Sequence, residues 1–297
     1  MKITTTFLSV LLLLSLYGCG EAEQQNANND EKADKEKEEE KVDLRFPRLS
    51  PRAEVSQNIG ITGITIDYSR PYVKDRQIWG DLVPYDEEWR TGADAPTTIK
   101  FEHDVSIEGN ELEAGKYEVT TIPAEDDDWT FTFNKVDGED EMNISVEASN
   151  TDKHYEMMTF KIHDVTDNSA RVTLAWDELK TGFDMEVETH EIVTRLIEKA
   201  MDQADEEDWN VYSQSASYLI QREERLDQAE EWLNKSIEIE ENWRNLYTKS
   251  SLRKAQGNKE EAIEYLERAI ETGREQEEEF GAEGFLKSNL EEMKEES

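Results

Sequence analysis

One cysteine in 297 residues excludes an intramolecular disulfide and any cysteine-based zinc cluster. Positive charge is scarce as well: 33 basic residues stand against 71 acidic ones, for a net charge of -38. So acidic a surface repels phosphate backbones, which argues against nucleic acid as a partner. No apolar run approaches the roughly 20 residues of a membrane-spanning helix. Glycine-rich phosphate cradles of the Gly-x-Gly-x-x-Gly or P-loop type are absent, as is a Gly-x-Ser-x-Gly nucleophile turn. Histidine is limited to four positions: His103, His154, His163 and His190. His190-Glu191 opens a zinc-protease motif, but Thr194 stands where its second histidine belongs. Neither a metal nor another cofactor is expected, and no catalytic residue is assigned.

What is present begins with an address. Lys2 precedes a short apolar run from Phe7 to Leu16, and Leu16-Tyr17-Gly18-Cys19 resembles a bacterial lipobox. The chain's single cysteine falls where lipid is attached, so residues 1–18 are expected to be a signal peptide and Cys19 the lipidation site. Acyl chains on Cys19 would tie the protein to a membrane, several chains being needed for stable anchoring. Residues 19–45, with runs such as Glu38-Glu39-Glu40, contain too little apolar surface to offset ordering entropy and read as a disordered acidic tether. The expected location is the cell envelope, lipid-anchored to the outer membrane on its periplasmic or surface leaflet.

Over residues 46–188 hydrophobicity repeats with a period near two. Ile64, Ile66 and Tyr68 alternate with polar residues, as do Trp129, Phe131 and Phe133. Val105 with Ile107, Tyr117 with Val119, Ile144 with Val146, and Met158, Phe160 and Ile162 extend the series, followed by Val172-Leu174-Trp176 and Phe183-Met185-Val187. About eight to ten short strands separated by turns predict an antiparallel, jelly-roll-like β-sandwich. One stretch breaks the alternation. Between Tyr68 and Thr98, Arg70, Arg76, Trp79, Trp89 and Arg90 crowd into an irregular loop. Tryptophan faces and arginine forks suit a glycan or a small anionic ligand. The same residues would equally serve a long connection pinned by buried tryptophans, with its arginines paired to carboxylates.

Those motifs also carry a likeness. Ser69-Arg70-Pro71, Arg76-x-Ile78-Trp79-Gly80-x-Leu82-Val83-Pro84-Tyr85, Trp89-Arg90-x-Gly92-Ala93 and Thr97-Thr98-Ile99 come first. Leu112-x-Ala114-Gly115-x-Tyr117, Thr121-Ile122-Pro123 and Phe133-Asn134-Lys135 follow in order. Together they resemble the bacterial domain-of-unknown-function 2911 family over about Leu49 to Val187. The resemblance implies an envelope β-domain with no established activity. The short acidic segment Val136 to Glu141 departs from the family's longer Gly/Tyr/Asp-bearing segment, and would alter any site that segment lines.

Residues 189–297 switch to a helical period. Ala229 to Ile237 aligns with Ala262 to Ile270 at an offset of 33, and Leu219 with Leu252 at the same offset. Gly257 is expected to stop one helix, and Asn258 with Glu261 to form a capping box on the next. The segment reads as an all-α tetratricopeptide-like repeat, a tail that family resemblance also implies, and a candidate surface for a protein partner. The chain is therefore expected to be multidomain, with a non-catalytic binding or scaffold role. The alternative is an envelope enzyme acting on glycans with carboxylates near the Arg/Trp loop.

Overall fold

A computed structural model of the chain describes residues 46–295. Cys19, the expected signal peptide (1–18) and the expected acidic tether (19–45) lie outside the described residues. The β-rich part is a sandwich of two antiparallel sheets. The larger runs in the order β1 (Arg52–Ile59), β2 (Thr62–Ser69), β3 (Thr97–Phe101), β6 (Gly115–Ile122), β7 (Trp129–Lys135), β8 (Glu141–Val146). The smaller orders β5 (Asn110–Leu112), β4 (Val105–Ile107), β10 (Ser169–Glu186), β9 (Ala148–His163).

The period-two pattern places one row of each strand inward. Ile64, Ile66, Ile99, Phe131 and Phe133 from the larger sheet are buried against Met158, Val172, Leu174 and Phe183 from the smaller. The Phe183 ring stands edge-on to Phe131 at 5.7 Å and to Phe133 at 5.5 Å. Tyr68 meets Phe160 edge-on at 5.0 Å, and the Phe160 backbone N–H donates to the Tyr68 hydroxyl at 3.1 Å. That bond satisfies a polar group which would otherwise be stranded in the core. β1 escaped the sequence pattern because it is an edge strand with little of its length buried, so Ala53 and Val55 alternate without a strong apolar contrast.

β9 and β10 are not short. They contain 16 and 18 residues. Extended, β10 would span ~60 Å at about 3.3 Å per residue. Instead the Val187 N–H donates to the Asn168 carbonyl at 2.8 Å, so its two ends lie side by side. The reversal falls where its pairing with β9 shifts register around Asp177, whose φ is +55°. The approach of its two halves requires Gly182, since a Cβ there would lie 2.1 Å from the Val172 carbonyl oxygen. The two expected strands Val172–Trp176 and Phe183–Val187 are thus the two limbs of β10.

Six helices follow among the described residues: α1 (Thr189–Gln203), α2 (Trp209–Gln221), α3 (Leu226–Ile239), α4 (Trp243–Ala255), α5 (Lys259–Gln276) and α6 (Glu283–Glu295). Ile192 of α1 is buried in the sandwich core, and the Thr189 hydroxyl donates to the Asp167 carbonyl at 2.6 Å. The residues related by the 33-residue offset are the buried ones: Leu219 and Leu252, Ala229 and Ala262, Leu233 and Leu266 are all fully inaccessible. Alanines at these positions let α2 approach α3, and α4 approach α5. Gly257, at φ +78°, ends α4 as expected. The capping box falls elsewhere. Asn258 caps α5 without a side-chain bond, whereas the Asn242 side chain accepts from the Asn245 N–H at 3.2 Å, and the Asn245 amide oxygen accepts from the Asn242 N–H at 3.0 Å. No helix among the described residues is long and apolar enough to cross a membrane.

Candidate functional site

The irregular segment between β2 and β3 lies across both sheets. It is tied to the larger sheet where Trp89 and Thr121 exchange backbone bonds of 2.8 Å in each direction. To the smaller sheet it is tied by Val73 N–H to the Glu156 carbonyl at 2.8 Å and Met158 N–H to the Pro71 carbonyl at 3.0 Å. Its own Ile78 and Val83 are buried in the sandwich core. Among the described residues, five of the ten non-glycine positions with positive φ lie here: Lys74, Asp75, Asp86, Thr91 and Asp94. For a β-branched residue this region is strained, and Thr91 is held at φ +53° by a 2.6 Å bond between its hydroxyl and that of Thr121. Strain of this kind persists where surrounding structure over-determines it, and it clusters at binding and catalytic sites.

Trp79 and Trp89 from this segment join Trp129 of β7 and Trp176 of β10, so four of the chain's seven tryptophans form one group. Trp79 is edge-on to the other three, with centroids at 5.8, 4.7 and 5.8 Å from Trp89, Trp129 and Trp176. Trp89 stacks on Trp176 at 5.9 Å with 19° between the planes. Two of the indole N–H groups are satisfied, that of Trp89 by the Gly92 carbonyl at 3.1 Å and that of Trp129 by the Ala124 carbonyl at 2.9 Å. Those of Trp79 and Trp176 are buried with no acceptor among the described residues. An orphaned buried donor costs about 1–3 kcal/mol, which makes the pair an anomaly in an otherwise well-satisfied core.

Beside this group lies a cavity of about 730 Å³, reached by Trp89, Trp176, Tyr72, Lys74, Arg76 and Arg90. Its carboxylates are Glu88 and Asp94, so positive charge is in slight excess within a strongly acidic chain. The three arginines singled out from sequence have different fates. Arg90 is exposed, lines the cavity and makes no hydrogen bond or ion pair with any described residue. Arg76 also lines it, but donates to the Tyr72 carbonyl and, at 3.0 Å, to the Val73 carbonyl. Arg70 does not line it. Its guanidinium donates to the Met158 carbonyl at 2.9 Å and the Thr159 hydroxyl at 2.8 Å, tying the loop's origin to β9. Arg70 and Arg76 therefore bond backbone and hydroxyl oxygens, where carboxylate partners were the structural expectation. Trp79 sits in the aromatic group without lining the cavity.

Residues 50–185, the whole framework that carries this cavity, match the family model described as "Protein of unknown function (DUF2911)". The sandwich is a DUF2911 domain. Residues 244–272, the span of α4 and most of α5, match a tetratricopeptide repeat. No curated protein and no solved structure matches the chain.

Within the DUF2911 domain, the acidic departure at residues 136–141 is the turn between β7 and β8 and its beginning of β8, and none of it lines the cavity. Lys135 at its edge is held by Glu113 at 2.6 Å and Asp140 at 3.3 Å, which raises its pKa above the usual lysine range. Among the described residues no group of three histidine, cysteine or acidic side chains could hold a metal. His154 pairs instead with Glu156 and Asp177 at 3.2 and 3.1 Å, and His163 with Asp164 at 2.8 Å. Sequence reasoning missed Trp129, Trp176, Tyr72 and Lys74 as parts of the site. Trp129 and Trp176 read as ordinary inward strand positions, and their convergence on Trp79 is a tertiary fact without a local signature.

Proposed function

We propose that this chain is a non-catalytic envelope protein, held to the outer membrane by lipid on Cys19. Its DUF2911 domain takes a small anionic or sugar ligand, and its tetratricopeptide-like tail contacts a protein partner. One observation carries the ligand reading. The cavity of about 730 Å³ combines stacked Trp89 and Trp176 faces, an unpartnered Trp176 indole N–H and the unengaged Arg90 guanidinium. Its size lies in the usual range of small-molecule sites, and an apolar wall with a few convergent polar groups is their usual make-up. Sugars stack on tryptophan and accept indole N–H bonds, and a carboxylate or phosphate substituent would engage Arg90.

Titration with glucuronate and with glucose, followed by intrinsic tryptophan fluorescence, tests this. The anionic sugar is expected to bind more tightly, and Arg90→Ala to weaken it by about 1.5–3 kcal/mol, the worth of a charged hydrogen bond. If Arg90→Ala lowers stability and leaves the titration unchanged, the loop is a structural strap. A second reading rests on Glu88 and Asp94, the carboxylates on the cavity wall, which an enzyme acting on glycans would need. Turnover of a glycan that disappears in Glu88→Gln or Asp94→Asn while binding persists would make that reading the correct one.

For the tail, cross-linked capture from intact envelopes compares the full chain with one ending after Ala204. Ending there keeps α1, whose Ile192 completes the sandwich core. A partner recovered with the full chain alone is expected. Equal recovery by both forms would move the contact to the DUF2911 domain.

A further inference from the structure

A second accumulation of positive charge lies on the outer face of the smaller sheet. Lys161 and His163 of β9, and Arg171 and Thr173 of β10, alternate with the core residues Phe160, Val172 and Leu174, and so project away from the sandwich interior. With Tyr155 and Lys180 they surround a concavity of about 410 Å³. The doubling back of β10 creates it, bringing Lys180 and Gly182 of one limb beside Arg171 and Thr173 of the other.

Tyr155 is its centre. Lys161 Nζ donates to the Tyr155 hydroxyl at 2.9 Å, and the ammonium groups of Lys161 and Lys153 lie 5.0 and 5.1 Å from the centroid of its ring. Lys161, Lys153 and Lys180 together hold the Tyr155 phenol below its ordinary pKa, the Lys161 hydrogen bond contributing most. None of the three lysines is ion-paired with a described carboxylate. By contrast, Lys135, Lys249, Lys287 and Lys294 each have an acidic partner within 3.3 Å. Nearby acids are engaged with other groups, Asp184 with Arg171 at 2.7 Å and Asp164 with His163 at 2.8 Å, and Glu147 alone adds a carboxylate to the concavity's wall.

We propose that this concavity binds a phosphate group, at a site separate from the Trp/Arg cavity. Ammonium groups that pair with no described carboxylate, with Glu147 as the one carboxylate on the wall, constitute a preformed demand for an anion. Phosphate fits better than carboxylate. A planar carboxylate is best met by a free guanidinium fork, and that of Arg171 is already engaged by Asp184. Tetrahedral oxygens instead suit separate point-charge donors from different strands, here Lys161 from β9 and Lys180 from β10; the Thr173 hydroxyl, 2.8 Å from His163 Nε2, lines the same wall.

Calorimetric titration of the full chain at about 0.15 M salt, where loose surface association is screened, tests the site with two probes. Inorganic pyrophosphate represents a free phosphate, and glycerophosphoglycerol the soluble head of a phospholipid. Saturable binding of at least one probe is expected, weakened about tenfold or more in Lys161→Gln/Lys180→Gln. Whichever probe binds more tightly identifies the source of the phosphate. Arg90→Ala is expected to leave this binding unchanged, which separates the site from the proposed sugar site. Because both lysines are exposed, the double variant should melt as the parent does. Failure of both probes to bind, or binding indifferent to the two lysines, overturns the proposal, as does binding abolished by Arg90→Ala instead.

Discussion

Glu230→Ala is expected to destabilise the helical tail by about 3 kcal/mol, measured by urea unfolding followed by far-UV circular dichroism. Glu230 on α3 is the hub of a partly buried network. Lys249 donates to it at 3.0 Å, Arg253 at 2.7 Å and Gln256 at 3.1 Å. Lys249 is only 2% exposed, yet it occupies the repeat position equivalent to Ala216. Removing Glu230 leaves that ammonium in the interior with Asn234, at 2.6 Å, as its remaining hydrogen-bond acceptor. Arg253 keeps Glu261 and Gln256, so the penalty falls mainly on Lys249. In the double variant Glu230→Ala/Lys249→Met the stranded charge is gone, and much of the lost stability should return. A loss below about 1 kcal/mol in the single variant would show that water reaches Lys249 freely.

The same network makes the tail acid-sensitive. The Arg253 hydrogen bond, with help from Gln256 and Lys249, holds the Glu230 carboxyl down at about 2, against an ordinary 4.5. A carboxyl depressed in the folded state contributes stability that is complete above its unfolded value and is lost as pH falls through the folded one. The window is therefore about pH 4.5 down to about 2. Partial exposure, and the burial that pushes the Lys249 ammonium down, reduce the contribution to about 1–2 kcal/mol. This is less than the effect of Glu230→Ala because a protonated Glu230 still accepts hydrogen bonds. Urea midpoints that stay flat across this window in the parent, or fall equally in Glu230→Ala, would contradict it.

Trp176→Ala is expected to cost the sandwich about 3–5 kcal/mol, the usual range for truncating a buried large aromatic. The side chain is 2% exposed and touches both Trp79 and Trp89, so its loss opens a cavity beneath the loop that shapes the candidate site. Trp176→Phe separates packing from hydrogen bonding. It keeps an aromatic stack on Trp89 but deletes an N–H with no acceptor, a group whose burial itself costs about 1–3 kcal/mol. Its stability should therefore fall by much less than that of the alanine variant. If the orphan donor belongs to the ligand site, the phenylalanine variant pairs near-parental stability with weakened sugar binding. Equal losses of stability in both variants would mean that the indole's full volume, and not its aromatic character, holds the loop in place.

These expectations divide between what is local and what is not. Inward strand positions such as Phe131 and Phe133 were readable because burial of one sheet face imposes a two-residue period on the chain itself. The helical repeat was readable for a similar reason, since the pairs Leu219/Leu252 and Ala229/Ala262 recur at one fixed offset and each fills the same packing role. Gly257 announced a helix end because its backbone needs a positive φ. The capping box was misplaced by one helix. Asn258 and Glu261 have suitable chemistry, but cap bonds depend on the path by which the chain enters the helix, and Asn242 and Asn245 meet that condition.

By itself the sequence determined the architecture: an antiparallel sandwich, then a helical repeat, with an irregular Arg/Trp segment inserted between two strands. Each of those features leaves a mark on neighbouring residues. Only tertiary structure decided which of the singled-out residues share a site. Arg70, Arg76 and Arg90 are chemically alike and close in sequence, yet one ties the loop to β9, one is engaged by its own loop, and one faces the cavity unengaged. The tryptophan group draws on residues from 79 to 176, and the cationic concavity exists because β10 turns back on itself. Long-range convergence of this kind is set by how the sheets close on one another, and no local period records it.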